Sequence, residues 1–536
     1  MLPALSRRLS SYPQPLYGHE LMKTCENYSS NSAISNFVTF SAQTLPAPEP
    51  HGVDLFGEPA LALTANFRPS GYEGVVALAK SLNRPSGELI ALARNNDPFF
   101  CGTLANRRDA DWFLSVWKMT GMEQHYRIHL RQMHYKLVSQ ELPPAMPSGK
   151  PYSNTLESWQ YLNGASKAAR YLQLVDAELF NDHRNPAPNL YAHGKAEWAE
   201  RTFDLDWDDW ELPSINFDLA DDFELAPPRF DATGYSYGND LQPFHLEVWI
   251  EKSTMNDVLG AVCRKFSANL VTSIGFQSIP SVINLLRRIE QANKPARIFY
   301  ISDFDPAGAF MPDAVARQIE YWSVRYAIRQ EIKLQPLVLT RQQVVDYRLP
   351  SIPIKESDRR KANFETRYGM EATELDALEA LKPGELTAIL EEALSEYWDA
   401  ELEQRMDDAG KDADSLAEEA TKWVINDHGD ELKAVQDGVS EILNTYRERL
   451  EVLSKELDAE LKPFEVRMKA VRQTIQGEID AVPDAFELPE HPAPEVEPPD
   501  EARWLFDSSR KYLDQIAVYK ARRALTGNDE SMEAAS

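Results

Sequence analysis

An α/β fold with a largely parallel sheet is predicted for the middle of this chain, preceded by a helical domain and followed by an acidic α-helical extension. Three observations predict it. Between residues 245 and 340, strand-like and helix-like segments alternate with short connections. From about 72 to 200, apolar residues recur at helical spacing in several short runs. Beyond 391 the sequence is strongly acidic yet keeps a regular three-or-four spacing of Leu, Ile and Val.

Residues 1–70 are rich in Ser, Pro and Asn with little periodicity, and are expected to form a loosely structured arm. In 71–200, GYEGVVALAKSL, RPSGELIALARNNDP, ADWFLSVWKMTG, LRQMHYKLVSQEL and SNTLESWQYLNGASKAARYLQLVD each read as helical, a set that suits a winged-helix-like module. Residues 201–240 are an acidic-aromatic linker. Within it, 204–225 carries nine acidic side chains and no basic one, interleaved with Trp207, Trp210, Phe217 and Phe223. Such a stretch is either a solvated surface loop or a segment that docks on a basic surface of a partner or of the protein itself.

In 241–390, HLEVWIE, ANLVTSIG, ARIFYISD and KLQPLVLT read as strands. TMNDVLGAVCRKF, QSIPSVINLLRRIEQ and PDAVARQIEYWSVRYAI read as the helices between them. Residues 391–481 form a charged helical hairpin or short coiled coil, with Val439, Ile442, Leu443, Tyr446, Leu450, Leu453, Leu457 and Leu461 on its seam. Residues 482–502 are a Pro-rich acidic linker, and 503–536 a last helix and tail.

The bulk properties bound the function classes. The chain has 536 residues, enough for about three domains. No run of ~18 apolar residues suggests a membrane span, and the first residues lack the continuous apolar stretch of a signal peptide. Cys25, Cys101 and Cys263 lie far apart without a C-x-x-C pair. That argues against a zinc site or a disulfide framework and for a reducing, cytoplasmic compartment. The net charge of −28 opposes simple phosphate binding. Its distribution matters more: residues 391–536 hold 37 acidic against 17 basic side chains, most of the excess.

Glu251 ends the first strand of the α/β region, and Asp303 and Asp305 follow the third strand in ISDFDPAG. Ligands of open α/β sheets gather outside the carboxyl ends of the strands, so these carboxylates can converge. Clustered carboxylates repel one another unless a cation neutralises them or one holds a proton. Mg²⁺ suits such a set, because it takes hard oxygen ligands and bridges to phosphate. Pro306 stiffens the strand exit and Gly308 permits close backbone approach. Lys252 is placed to neutralise a phosphate. A lone D-x-D is often only a solvated turn; the order of the two motifs in one βαβαβ unit is what gives them weight.

EVWIEKSTMNDVL followed by YISDFDPAG resembles the TOPRIM domain, in the version found in the A subunit of DNA topoisomerase VI and the related meiotic double-strand-break transesterase. The similarity continues through LTRQQVVDYRLPSIPIKESDRRKANFETRYGMEATELDALEAL, with Lys355 and Asp358 on a K-x-x-D pattern and an E-L-D-A-L motif at Glu374–Leu378. It spans about 145 residues. Upstream, LRQMHYKLV places Arg131, His134 and Tyr135 on the family's R-x-x-(aromatic)-Y motif, with His134 in place of the usual aromatic. SKAARYLQLVD is similar to the family's next motif, an insertion PPAMPSGKP lies between the two, and Asp182, His183 and Arg184 form a shifted D-x-x-R.

The resemblance implies Mg²⁺-dependent cleavage of DNA, with Glu251, Asp303 and Asp305 as metal ligands and Lys252 beside them. Two mechanisms stay open. In one, Tyr135 attacks the phosphodiester with Arg131, one helical turn earlier, assisting; a phenol of pKa about 10 needs such help. The resemblance then implies a homodimer, with tyrosine and metal from different protomers. In the other, water attacks and Tyr135 is an ordinary packed helix residue. The chain carries no P-loop and no ATPase segment, so strand passage would require a separate ATPase subunit. A third reading is a non-catalytic DNA-binding scaffold whose acidic tail docks a partner.

Overall fold

The computed structural model describes residues 67–524 apart from 126–127, 182–184, 213–222, 274, 276, 357, 359, 370, 447–453 and 500–503. The expected N-terminal arm, bar its last four residues, and the Asp182–Arg184 motif therefore lie outside the described residues.

The helical domain comprises α1 (Tyr72–Ser81), α2 (Leu104–Met119), α3 (Leu130–Val138) and α4 (Leu156–Tyr171). Thr103 and Thr155 cap α2 and α4 by accepting backbone N–H bonds, and His129 with Gln132 closes a capping box on α3. Phe113, Trp117, Met133, Leu137, Leu162 and Ala169 lie in its core. The helix expected over RPSGELIALARNNDP does not form; Ser86–Leu89 makes one 3₁₀ turn. The cause is Asp97, whose buried carboxylate accepts from the N–H groups of Ala91, Leu92 and Phe99 and draws the segment into a loop. Between α3 and α4, the inserted PPAMPSGKP stretch closes on itself through a bridge from Ala145 to Pro151.

A two-stranded antiparallel sheet follows, β1 (Thr202–Asp206) with β2 (Arg229–Thr233). The central sheet has five strands: β3 (His245–Ile250), β4 (Asn269–Thr272), β5 (Ala296–Ile301), β6 (Ile332–Val338) and β7 (Phe506–Asp507), in the order β4-β3-β5-β6-β7. The first four are parallel and β7 is antiparallel at the edge. The crossovers are α5 (Asn256–Lys265), α6 (Ile279–Ala292) and α7 (Met311–Arg325). Every residue of β3, β4 and β5 is buried, as expected of parallel strands covered on both faces. Alternate residues serve different cores. Trp249, Ile298 and Tyr300 join α6 and α7; Val248, Ile250, Phe299 and Ile301 join Leu259 and Cys263 of α5.

Four further helices, α8 (Arg341–Asp346), α9 (Lys361–Tyr368), α10 (Leu375–Leu381) and α11 (Glu385–Ser395), cover the second face. Among the described residues the charged extension runs as α12 (Leu402–Ile425), α13 (Gly429–Tyr446) and α14 (Ser454–Ile479), with Val439, Leu443, Leu457 and Leu461 of the expected seam in one core. They share a core with Phe223, Leu225 and Phe230. The acidic-aromatic stretch, in its described residues, packs on this extension, with Phe223 and Leu225 in the extension's core. Its Trp207 lies against the chain's own Arg472, whose guanidinium stands 4.2 Å from the ring centre.

The Pro-rich segment begins with the short α15 (Val482–Ala485) and is then pinned rather than loose. Arg201 donates to the carbonyls of Leu488 and Pro489, and Asp399 accepts from Glu495 N–H. The expected last helix forms as α16 (Tyr512–Ala524) and belongs to the central fold: β7 pairs with β6, and Tyr512, Ile516 and Tyr519 sit in the sheet's first core. Arg317 of α7 fastens it there. Fully buried, it pairs with Asp97 at 3.2 Å and with Glu320, donates to Tyr512 Oη, and lies over the Phe99 ring.

A second buried network centres on Glu247 of β3. It receives two 2.8 Å bonds from Arg288, and others from His245, Trp249 Nε1 and Asn269. Burial alone would push its pKa up; the Arg288 guanidinium and the His245 bond hold it well below the usual carboxylate range. Replacing Arg288 by Met should leave that carboxylate buried and uncompensated, and should lower unfolding stability by about 3–5 kcal/mol in urea titrations. A loss below about 1 kcal/mol would contradict the network's role.

Candidate functional site

The parallel strands run in the order second, first, third, fourth. The chain crosses from β3 to one side and later returns to the other, so a crevice opens between the carboxyl ends of β3 and β5. Glu251 leaves β3 at this point, its N–H bonded to Ile301 O at 3.2 Å. Asp303 and Asp305 leave β5 beside it.

The turn after β5 is set by tight backbone approach. Asp305 Oδ1 accepts from Gly308 N at 2.6 Å, and Ser302 Oγ donates to Gly308 O at 3.1 Å. A Cβ on Gly308 would stand 2.1 Å from Asp303 O, so only glycine fits. Phe304 and Thr373 exchange backbone bonds of 2.9 and 2.8 Å, which stitches the segment before α10 to this turn. As a result Leu375 N donates to Asp303 Oδ1 at 2.7 Å.

That stitch brings in two acids for which sequence reasoning proposed no role. Lys252 Nζ lies 3.2 Å from Asp303, 2.8 Å from Asp376 and 3.7 Å from Glu374. The available signal was the E-L-D-A-L motif itself, with two carboxylates flanking Leu375. Lys252 thus joins Asp303, Glu374 and Asp376, while Glu251 feels the charges of Asp303, Asp305 and Lys252 at the same crevice.

The electrostatics follow from that imbalance. Burial, and then the charges of Asp303 and Asp305, push the Glu251 carboxyl up to about 7. Its Oε2 is buried without a hydrogen-bond partner. Burial also raises Asp303, against the opposing Leu375 N–H and Lys252. Burial works against the Lys252 ammonium, yet Asp376 and Asp303 hold it above its ordinary range. Among the described residues, no three His, Cys, Asp or Glu side chains stand close enough to enclose a metal ion. The predicted carboxylates are thus electrostatic neighbours in an open arrangement, not a closed cage. As a donor set they fit a hard divalent cation: all oxygen, excess negative charge, and one buried oxygen left unsatisfied by protein.

The upstream residues lie elsewhere. His134 is buried, bonded to Tyr152 Oη at 2.7 Å and Asn154 Oδ1 at 3.2 Å, so the replaced aromatic serves as a packed polar link. Tyr135 is 56% exposed and not the packed residue that one reading expected. Arg131 is exposed too, 5.8 Å from the Trp159 ring centre. Among the described residues, no hydrogen bond or ion pair joins Arg131 or Tyr135 to the acidic crevice. Asp358 pairs with Arg360 at 3.0 Å, and that bond holds its carboxyl low.

Neither a scan against protein-family models nor a search of curated proteins finds a match to this chain.

Glu251 carries a pH prediction. Its folded-state pKa lies above its unfolded value, so the folded chain binds the extra proton. Stability is fully present below about 4.5 and falls as pH rises through about 7. In chelator, melting temperature should drop between pH 5 and 8, and Glu251→Gln should flatten that slope and melt higher at pH 8. An unchanged slope in the variant would remove Glu251 from the coupled cluster.

Proposed function

We propose that this chain is a Mg²⁺-dependent enzyme that breaks phosphodiester bonds in DNA, through a TOPRIM-type domain similar to that of the topoisomerase VI A subunit and preceded by a winged-helix-like DNA-binding domain. The observation that carries this reading is the convergence of Glu251, Asp303 and Asp305 at the β3/β5 crevice, with a buried Glu251 oxygen that no protein group satisfies. Glu251, Asp303 and Asp305 would hold the ion, which supplies positive charge to the phosphate undergoing cleavage. Lys252, shared among Asp303, Glu374 and Asp376, keeps a protonated ammonium beside the crevice for a non-bridging phosphate oxygen. Glu374 and Asp376 orient that lysine.

A second reading assigns the attack to Tyr135. Its exposure and the exposed Arg131 one turn earlier favour it. The phenolate oxygen would form a bond to phosphorus as the P–O bond to the neighbouring sugar breaks, leaving a phosphotyrosyl end and a free hydroxyl. Because Tyr135 has no contact with the crevice of its own chain, this reading requires a homodimer in which each tyrosine meets the partner's carboxylates. Coupling to strand passage would call for a separate ATPase subunit. A scaffold that binds DNA without cutting it is the non-catalytic alternative.

The test is cleavage of plasmid and linear duplex DNA with Mg²⁺ or Mn²⁺. Glu251→Gln and Asp303→Asn should each lower the rate by at least about 100-fold while the circular dichroism spectrum is kept. Full activity in both would sink the assignment. Tyr135→Phe should abolish covalent adducts and cleavage if tyrosine attacks, and leave cleavage intact if water does. DNA binding without cleavage in either metal would leave the scaffold reading.

A further inference from the structure

A second cavity opens at the same carboxyl edge of the sheet, with the opposite charge. It has a volume of about 880 Å³ and lies between α4, the N-terminal parts of α6 and α7, and Lys355, Asp358 and Arg360. Lys167 and Arg170 reach it from α4, and Lys355 from the loop. None of the three forms an ion pair among the described residues. Lys167 Nζ donates to Asn95 O at 3.3 Å, and Arg170 Nε to Ser166 O at 3.2 Å. The cavity's one acid, Asp358, is taken up by Arg360.

Two further observations point to an anion. The wall includes Ser278 and Ile279, the cap and first residue of the 14-residue α6, where the helix presents its positive end. Beside them Gln277 is 6% exposed, and its Nε2 is buried with no hydrogen-bond partner. An unpaired buried N–H donor costs about 1–3 kcal/mol, and Gln277 stands on the wall of this cavity. The cations are themselves uncomfortable as they stand. Burial, and then the neighbouring Arg170 charge, push the Lys167 ammonium down, and burial pushes Arg170 down to about 10.

We infer that this cavity is a phosphate-binding subsite, formed by Lys167, Arg170, Lys355 and the buried Gln277 amide at the start of α6. Resting on the nucleic-acid reading above, its ligand is a backbone phosphate of a strand whose scissile bond lies at the acidic crevice. The location supports that pairing. The cavity wall includes Phe310, five residues beyond Asp305 on the same β5–α7 connection. The subsite also answers a difficulty of charge. A crevice of five carboxylates in a chain of net charge −28 repels a polyanion, and a neighbouring cluster of unpaired cations offsets that repulsion where the strand must sit.

The test uses the full chain in EDTA, so that binding is read without metal or cleavage. Fluorescence anisotropy of a labelled 20-mer duplex, and of its single strand, is titrated against salt for wild type, Lys355→Gln, and Lys167→Gln with Lys355→Gln. Lys355 is exposed, so the single variant keeps the fold even if the double does not. The double variant should bind roughly tenfold more weakly at 0.1 M salt. The slope of log K against log salt should fall by about one for each lysine removed. Unchanged affinity and slope in both variants, with wild type binding DNA, would overturn the subsite and leave the nuclease reading standing. If wild type binds no DNA, pyrophosphate is titrated by ³¹P line broadening. Broadening lost in the variants would keep a phosphate subsite while removing the nucleic-acid reading, and no broadening would overturn both.

Discussion

Carboxylates at neighbouring strand ends repel one another, and the strand order of this sheet makes them neighbours. Because β3 and β5 lie side by side with their crossovers leaving in opposite directions, residues 52 positions apart in sequence meet at one crevice. Nothing in the protein fully relieves the repulsion. Lys252 supplies one positive charge to Asp303, Glu374 and Asp376, and Glu251 responds by holding its proton up to about pH 7. The rigid surroundings prevent the cluster from spreading apart. The strands are buried on both faces, Gly308 is packed against the Asp303 carbonyl, and the Phe304–Thr373 bridge locks α10 in place.

Two glutamates of the same strand region show how placement decides role. Glu247 is surrounded by an arginine, a histidine, a tryptophan N–H and an asparagine, and is ionised and structural. Glu251, four residues on, keeps a buried oxygen with no partner. Such an oxygen is costly in a purely structural site. The same contrast separates the cations. Arg288 and Arg317 are consumed by buried ion pairs, whereas Lys167, Arg170 and Lys355 line a cavity whose one acid, Asp358, is paired with Arg360. The acidic helices α12, α13 and α14 pack with β2 on a core of their own, and that core shares no buried residue with the two cores of the central sheet.

The strand–helix alternation of 245–340 was legible because short, nearly continuous apolar runs alternate with helix-periodic segments across short connections. The positions of Glu251, Asp303 and Asp305 at strand ends followed from it. What was not legible depended on contacts distant in sequence. The last helix was legible but its place was not, because nothing local announces that Phe506 pairs with Leu334, or that Tyr512 reaches Arg317. The Pro-rich stretch read as a linker because its hydrogen bonds come from Arg201, Tyr235 and Asp399, remote in the chain. RPSGELIALARNNDP had helical spacing, but a single buried aspartate with three backbone N–H partners outweighed it. Glu374 and Asp376 stood in a recognised motif, yet only the backbone bridge at Phe304 shows where that motif points.

The acidic crevice as a divalent-cation site is the claim on which the functional reading stands, and it can be measured without any substrate. Titration of the metal-free chain with Mn²⁺, followed by the loss of the free-ion electron paramagnetic resonance signal, reports binding directly. Because an acidic protein also gathers Mn²⁺ weakly on its surface, the informative quantity is the difference between wild type and Glu251→Gln. A site displaced by Mg²⁺ that is present in wild type and missing in Glu251→Gln is the expected result. Identical Mn²⁺ binding by the two proteins would contradict the assignment of the crevice as a metal centre.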